Sequence, residues 1–394
     1  MVYLKNRVLR SKSTQPAILA LKNSANYSFT AMPPFVPRSL PCREVELDLV
    51  TSLLQRDSDF VVTGVPGIGR RSLIREAAKQ VGCRCLEIDF LRCRNAGQFL
   101  RFLADAITQA FAEPDELTKI QAWSLNQPLT LDQTLASQAR LVWPTNPGKE
   151  WPLFEGLLAL PQYLAEWLNC QVVIVFHNFL HIRSWDRRGK WETYLRQEIQ
   201  QQNRVSYALI ATVAEPWMLA SQLPVIALAP LADPELRPWI TQSMAAAGLT
   251  FEAESQALEL YLSYVQGHLK DAIALAQRIW LDCAALATHS PTGLIQAHQV
   301  HSSMLTLVQD ISVTFEALLL LLPPTQARVL ESLALDPTDS PQASAYIKKH
   351  QLSRGGGLQG ALNSLEQKGL IYGPQFSYRI ALPLLNFWLK QRLR

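Results

Sequence analysis

From Glu44 onward, apolar positions follow two alternating rhythms. Five β-like runs, Phe60–Gly64, Arg84–Asp89, Gln171–His177, Tyr207–Val213 and Val225–Leu228, are separated by stretches with helical spacing, such as Glu44–Gln55 (EVELDLVTSLLQ) and Gln98–Ala112. Near-continuous apolar strands alternating with helices predict an α/β fold with a parallel sheet and helices on both faces. Residues 113–150, rich in Pro, Thr, Asn and Gln, read as an insertion in a domain spanning 41–232. From Asp233 to Leu322 the strand signal disappears, which predicts an α-helical domain over 233–322. Residues 1–40 have weak periodicity and several prolines, and read as a basic mobile arm.

The last segment, 323–394, shows three helical stretches and a short hairpin. Pro323–Leu335, Ser340–His350 and Leu358–Lys368 are the helices, with Ser353 as the expected cap of the third. Gly369–Tyr372 and Phe376–Ile380 are the strands of the hairpin, and a closing helix starts at Pro383. This order is that of a winged helix.

Charge refines the picture. The net charge of +4 is unevenly spread: residues 1–43 hold seven Lys or Arg and no acid, and residues 340–394 hold eight basic residues and one acid, Glu366. Both ends are cationic and the body is anionic, which fits a polyanionic partner or ends that fold back on the body. The six cysteines have no C-x-x-C spacing, so no metal site is expected and a reducing, cytoplasmic setting is. The acid-free N-terminus also has the composition of a transit peptide, which leaves an organelle matrix or stroma open. The longest apolar run, Ala317–Leu322, is core-sized, so no membrane insertion is expected.

The candidate chemistry lies at Gly64–Ser72, GVPGIGRRS, between the first strand and a helix. The pattern approaches the phosphate-binding loop G-x-x-x-x-G-K-[ST], in which glycines let successive N–H groups wrap an anion at a helix N-terminus. Gly64, Gly67 and Gly69 keep that cradle, with Ile68 between them. Arg70 replaces the lysine and Arg71 the hydroxyl that would ligate Mg²⁺; Ser72 comes one residue late and is expected to point elsewhere. The strand Val172–Phe176 ends in His177-Asn178, where an ATPase of this kind needs carboxylates for Mg²⁺ and water. Both halves of a Mg²⁺ site are therefore replaced, and little or no hydrolysis is expected. Arg71 and a protonated His177 would then supply the metal's charge.

These residues together resemble the STAND/archaeal-type branch of the AAA+ P-loop ATPases with a C-terminal winged helix, over roughly residues 38–394. Phe35-Val36-Pro37-Arg38 with Arg43-Glu44-Val45-Glu46-Leu47 is similar to a box that contacts adenine, which adds Arg43 to the nucleotide-binding candidates. The resemblance places Thr212 near a sensor position. Leu228-Ala229-Pro230-Leu231 is similar to the entry of the family's helical lid, and Gly267-His268-Leu269-Lys270 to a lid phrase with Lys270 in a second sensor position. Arg187 and Arg188 are read either as a trans arginine finger or as a surface turn. The resemblance implies ATP or ADP as ligand, bound without Mg²⁺, and a regulatory or scaffold role with a protein partner or self-association. Two alternatives stand: a slow ATPase, and a nucleic-acid-binding winged helix on a P-loop platform. In the second, Lys348, Lys349, Arg354, Gln359, Asn363, Lys368 and Arg379 are the nucleic-acid candidates.

Overall fold

The strand Phe60–Thr63 is buried at all four positions because the sheet passes on both sides of it and helices cover both faces. In this computed structural model, which describes residues 35, 43–134, 139–144, 150–199, 201–286, 293–353 and 355–394, it pairs in parallel with Val205–Ala211 and Val225–Ala227. Val172–His177 pairs with Val205–Ala211, and Arg84–Asp89 closes the opposite edge, again in parallel. The five predicted runs thus form one parallel sheet, as their unbroken apolar character implied.

Alternate side chains go to opposite faces. Val61, Ile174 and Leu209 join helices Ala96–Ala110 and Glu150–Leu168 in a core rich in rings, among them Phe90, Phe99, Phe154 and Phe176. Val62, Val173 and Ala208 meet helices Glu44–Gln55 and Arg70–Val81. The strand ends Thr63, His177 and Ala211 lie side by side at the carboxyl edge, where α/β sheets present ligand crevices. The insertion region holds helix Pro114–Ser124 and a small antiparallel pair, Thr130–Asp132 with Arg140–Val142.

The helical segment contains Asp233–Ala246, Ala257–Val265, Leu269–Leu286 and the long helix Ala297–Leu321. It also contains a parallel pair, Thr250–Phe251 with Leu294–Ile295, which the sequence did not reveal because two residues are too few to show a period. A second expectation changes as well. Ala317–Leu322 is only partly core: Leu322 is buried, whereas Leu320 and Leu321 are 87% and 84% exposed. The 25-residue helix, with an 18-residue window of mean hydropathy 1.6, is long and apolar enough to cross a membrane by length and composition.

The C-terminal segment folds as helices Pro324–Leu335, Ser344–His350 and Gly356–Gln367, the strand pair Ile371–Tyr372 and Arg379–Ile380, and helix Pro383–Arg392. The third helix starts earlier than expected. Gly355 occupies its N-cap and no side chain caps it, so Ser353 does not have that role.

Candidate functional site

Gly67 and Gly69 adopt φ values of 90° and 106°, a region that side chains with a Cβ rarely enter. They turn the chain from the first strand into helix Arg70–Val81, capped at Gly69. Leu73 N–H is the first to reach back along the helix, to Gly69 O at 3.0 Å. The N–H groups of Arg70, Arg71 and Ser72 thus begin the helix without intrahelical acceptors, and its first turn contains no acid. Ile68 is fully buried, so only its backbone faces the loop.

The helical domain sits directly on this loop. Lys270 N–H donates to Gly67 O at 3.0 Å, and His268 Nε2 lies 2.8 Å from Pro66 O, to which it donates. A Cβ on Gly67 would sit 2.8 Å from the His268 ring. His268 is 1% exposed, and its Nδ1 faces Asp271 Oδ1 at 3.1 Å. The other Asp271 oxygen accepts Leu384 N–H at 3.1 Å. A polar relay therefore runs from the loop through the helical domain into the closing helix of the C-terminal domain. Gly369 presses on Pro66 from that domain, and Tyr372 and Ala381 pack into the core behind the loop.

Between loop and helical domain lies a cleft of about 420 Å³, lined among others by Gly67, Gly69, Arg70, Arg71, Ser72, His177 and Lys270. No Asp or Glu is among the described residues of its lining. Ser72, in the first helical turn, also borders the cleft. Arg70 Nη1 donates to Ala211 O at 2.7 Å; burial lowers its pKa to about 10, which leaves it charged at neutral pH.

Arg71 is held differently. It forms an ion pair with Glu87, as does Arg75, and His177 Nε2 lies 3.4 Å from Glu87 Oε2, an ion-pair distance without hydrogen-bond alignment. Burial by itself raises the Glu87 carboxyl, but His177, Arg75 and Arg71 outweigh it and hold the pKa at about 2. Glu87 is the organising acid here, and sequence reasoning missed it, since nothing in its strand distinguishes it from a solvated carboxylate. Asn178, at φ 52°, points back to Asp89 through a 2.9 Å hydrogen bond.

The remaining candidates are spread out. Thr212 O accepts Gly64 N–H at 3.2 Å. Arg43 is buried, bonded to Ala229 O at 2.6 Å and Glu46 at 2.9 Å, and is not in the cleft lining. Arg187 and Arg188 are exposed on a turn. His268 was within the phrase singled out around Lys270, but only the fold shows that it touches the loop.

In the C-terminal domain, the exposed positions of helix Gly356–Gln367 include Gly356, Gly357, Gly360, Asn363 and Gln367, none of them charged. Gln359 donates to Asn363 and pairs with Gln342. Lys349 is tied to Asp336 at 2.6 Å, Lys368 to Gln326 at 2.6 Å, and Arg379 lies over the Tyr372 ring at 5.3 Å. Lys348 is exposed, and Arg354 lies outside the described residues.

Residues 313–391 match a family model described as "Probable winged helix domain". No curated protein sequence matches the chain. The Walker-type ATPase of Pyrococcus abyssi shares its fold at TM-score 0.63 and 13% identity, over 91% of this chain and 98% of that one. Two further structures align at lower scores: Aeropyrum pernix Orc1 in complex with DNA (TM-score 0.48, 14% identity, 92% and 97% of the chains) and the Thermotoga maritima RuvB Holliday junction branch migration motor (0.42, 14%, 87% and 94%). The chain shares the fold of that Walker-type ATPase and ends in a winged helix.

Proposed function

We propose that this chain is a nucleotide-binding regulatory or scaffold protein of the AAA+/STAND type, holding ATP or ADP between loop and lid with little or no hydrolysis. The observation that carries the reading is the cleft: Arg70, Arg71 and Lys270 bring positive charge to a helix N-terminus, and no carboxylate is among the described residues of its lining. Loop N–H groups would hold the phosphates, with Arg70 and Lys270 as charge partners. Divalent metal needs oxygen ligands, and here an arginine and a histidine stand where the motif supplies a hydroxyl and an acid. Nucleotide binding is therefore Mg²⁺-independent in this proposal. The relay from Pro66 through His268 and Asp271 to Leu384 gives a nucleotide in the cleft a route to the winged helix.

Calorimetric titration with ATP, with and without Mg²⁺, tests the proposal. Binding that is unchanged by Mg²⁺ and lost in Arg70→Ala is expected; no heat at millimolar ATP, or phosphate release on a scale of about 1 s⁻¹, overturns it. The uncharged outer face of helix Gly356–Gln367 favours a protein partner for the winged helix over nucleic acid. A duplex affinity that falls steeply with salt would reverse that preference.

A further inference from the structure

The phosphate-loop helix has a second basic face. Arg71, Arg75 and Lys79 recur every four residues, so their Cα atoms step along one side at about 6 Å. This face overlooks the edge strand Arg84–Asp89, and the two elements, with the later turns of helix Ala96–Ala110, enclose a second cleft of about 510 Å³. Arg71, Arg75, Lys79 and Arg92 all line it, against a single carboxylate, Glu87. Glu87 engages Arg71 and Arg75. Lys79 and Arg92 have no ion-pair partner among the described residues, and Arg92 rests on the Phe102 ring, 4.7 Å from its centroid. Gathering like charges in one cleft is unfavourable unless an anion enters it. The lining contains Gln109 as a further donor and no aromatic ring, so it offers phosphate recognition without a platform for stacking bases.

We propose that this cleft is a second anion site, specific for a short oligophosphate and distinct from the nucleotide cleft, with which it shares Arg71. Three successive cations along one helix face suit a chain of linked phosphates better than a single carboxylate. Two sources supply that chemistry: free oligophosphate, and the outer phosphates of a nucleotide held in the neighbouring cleft. The first stands independently of the nucleotide reading; the second rests on it.

The test is calorimetry of the full chain with sodium tripolyphosphate and, separately, with ATP. Lys79→Glu combined with Arg92→Glu changes two exposed side chains. A melting curve that matches the parent confirms the fold. The expected result is at least tenfold weaker tripolyphosphate binding in this double variant, with binding retained within twofold in Arg70→Ala. If ATP affinity falls in parallel, the site serves a nucleotide's phosphates; if ATP is unaffected, it serves free oligophosphate. Tripolyphosphate binding that is absent, or unchanged within twofold in the double variant, overturns the proposal. So does a labelled oligothymidylate that binds through the same residues more tightly than tripolyphosphate. An ATP titration without heat, alongside intact tripolyphosphate binding, would sink the nucleotide reading and leave the second site standing.

Discussion

His268 of the helical domain donates to the carbonyl of Pro66 in the phosphate loop at 2.8 Å, a contact between residues 202 positions apart. The ring is buried, and its other nitrogen faces Asp271. His268→Ala takes the donor from the Pro66 carbonyl and the acceptor from the Asp271 N–H, which costs about 1–3 kcal/mol. A lowered melting temperature and a changed ATP affinity are expected together, since one contact holds both the domain and the loop. A melting curve identical to the parent would show that the contact does not bind the domains.

Gly67→Ala attacks the same junction from the loop side. It forces φ near 90° on a residue with a Cβ and drives that carbon into the His268 ring. A loss of about 1–3 kcal/mol is expected in denaturant titration, with ATP binding abolished. Combining it with His268→Ala should cost less than the sum of the two, because the second change removes the ring that the first collides with.

Glu87 makes the fold acid-sensitive. Its pKa falls from the ordinary 4.5 to about 2 on folding, so its ion pairs are fully formed above about pH 4.5 and are lost as pH drops towards 2. Glu87→Gln should flatten stability against pH over that window. At neutral pH it should also tighten tripolyphosphate and ATP binding by releasing Arg71 and Arg75. Unchanged acid unfolding in Glu87→Gln would mean that other carboxylates dominate.

The winged helix docks through Gly369, at φ 71°, where any side chain would strike Pro66 and Thr212. Gly369→Val should loosen the C-terminal domain from the loop without unfolding its own core. Faster limited proteolysis around Leu321–Pro323 reports the loosening, and a cleavage pattern like the parent's would contradict it.

Leu320 and Leu321 are exposed at the end of the long helix. Replacing both with Ser should leave the free energy of unfolding within about 0.5 kcal/mol of the parent in denaturant titration, because little apolar area leaves a core. A larger drop would show that another part of the molecule covers these leucines.

Much of the sheet was legible from the chain. Runs such as Val172–Phe176 are apolar at every position because both sheet faces are covered, and that demand is written locally, residue by residue. The glycines of the loop were legible for the same reason: Gly67 and Gly69 answer a backbone geometry that few other residues allow. Elements shorter than one period were not, as Thr250–Phe251 shows. The partnership of Arg71 with Glu87 and the seat of His268 on Pro66 were invisible too. The sequence by itself determined which segments form the five-stranded sheet and where a glycine turn joins its first strand to a helix, since period and φ preference are properties of neighbouring residues. Only the tertiary structure decided which carboxylate holds Arg71, which histidine closes on the loop and that Leu320 and Leu321 face outward while Leu322 is buried. Those depend on elements far apart in sequence being packed together, and no local pattern encodes the distance between them.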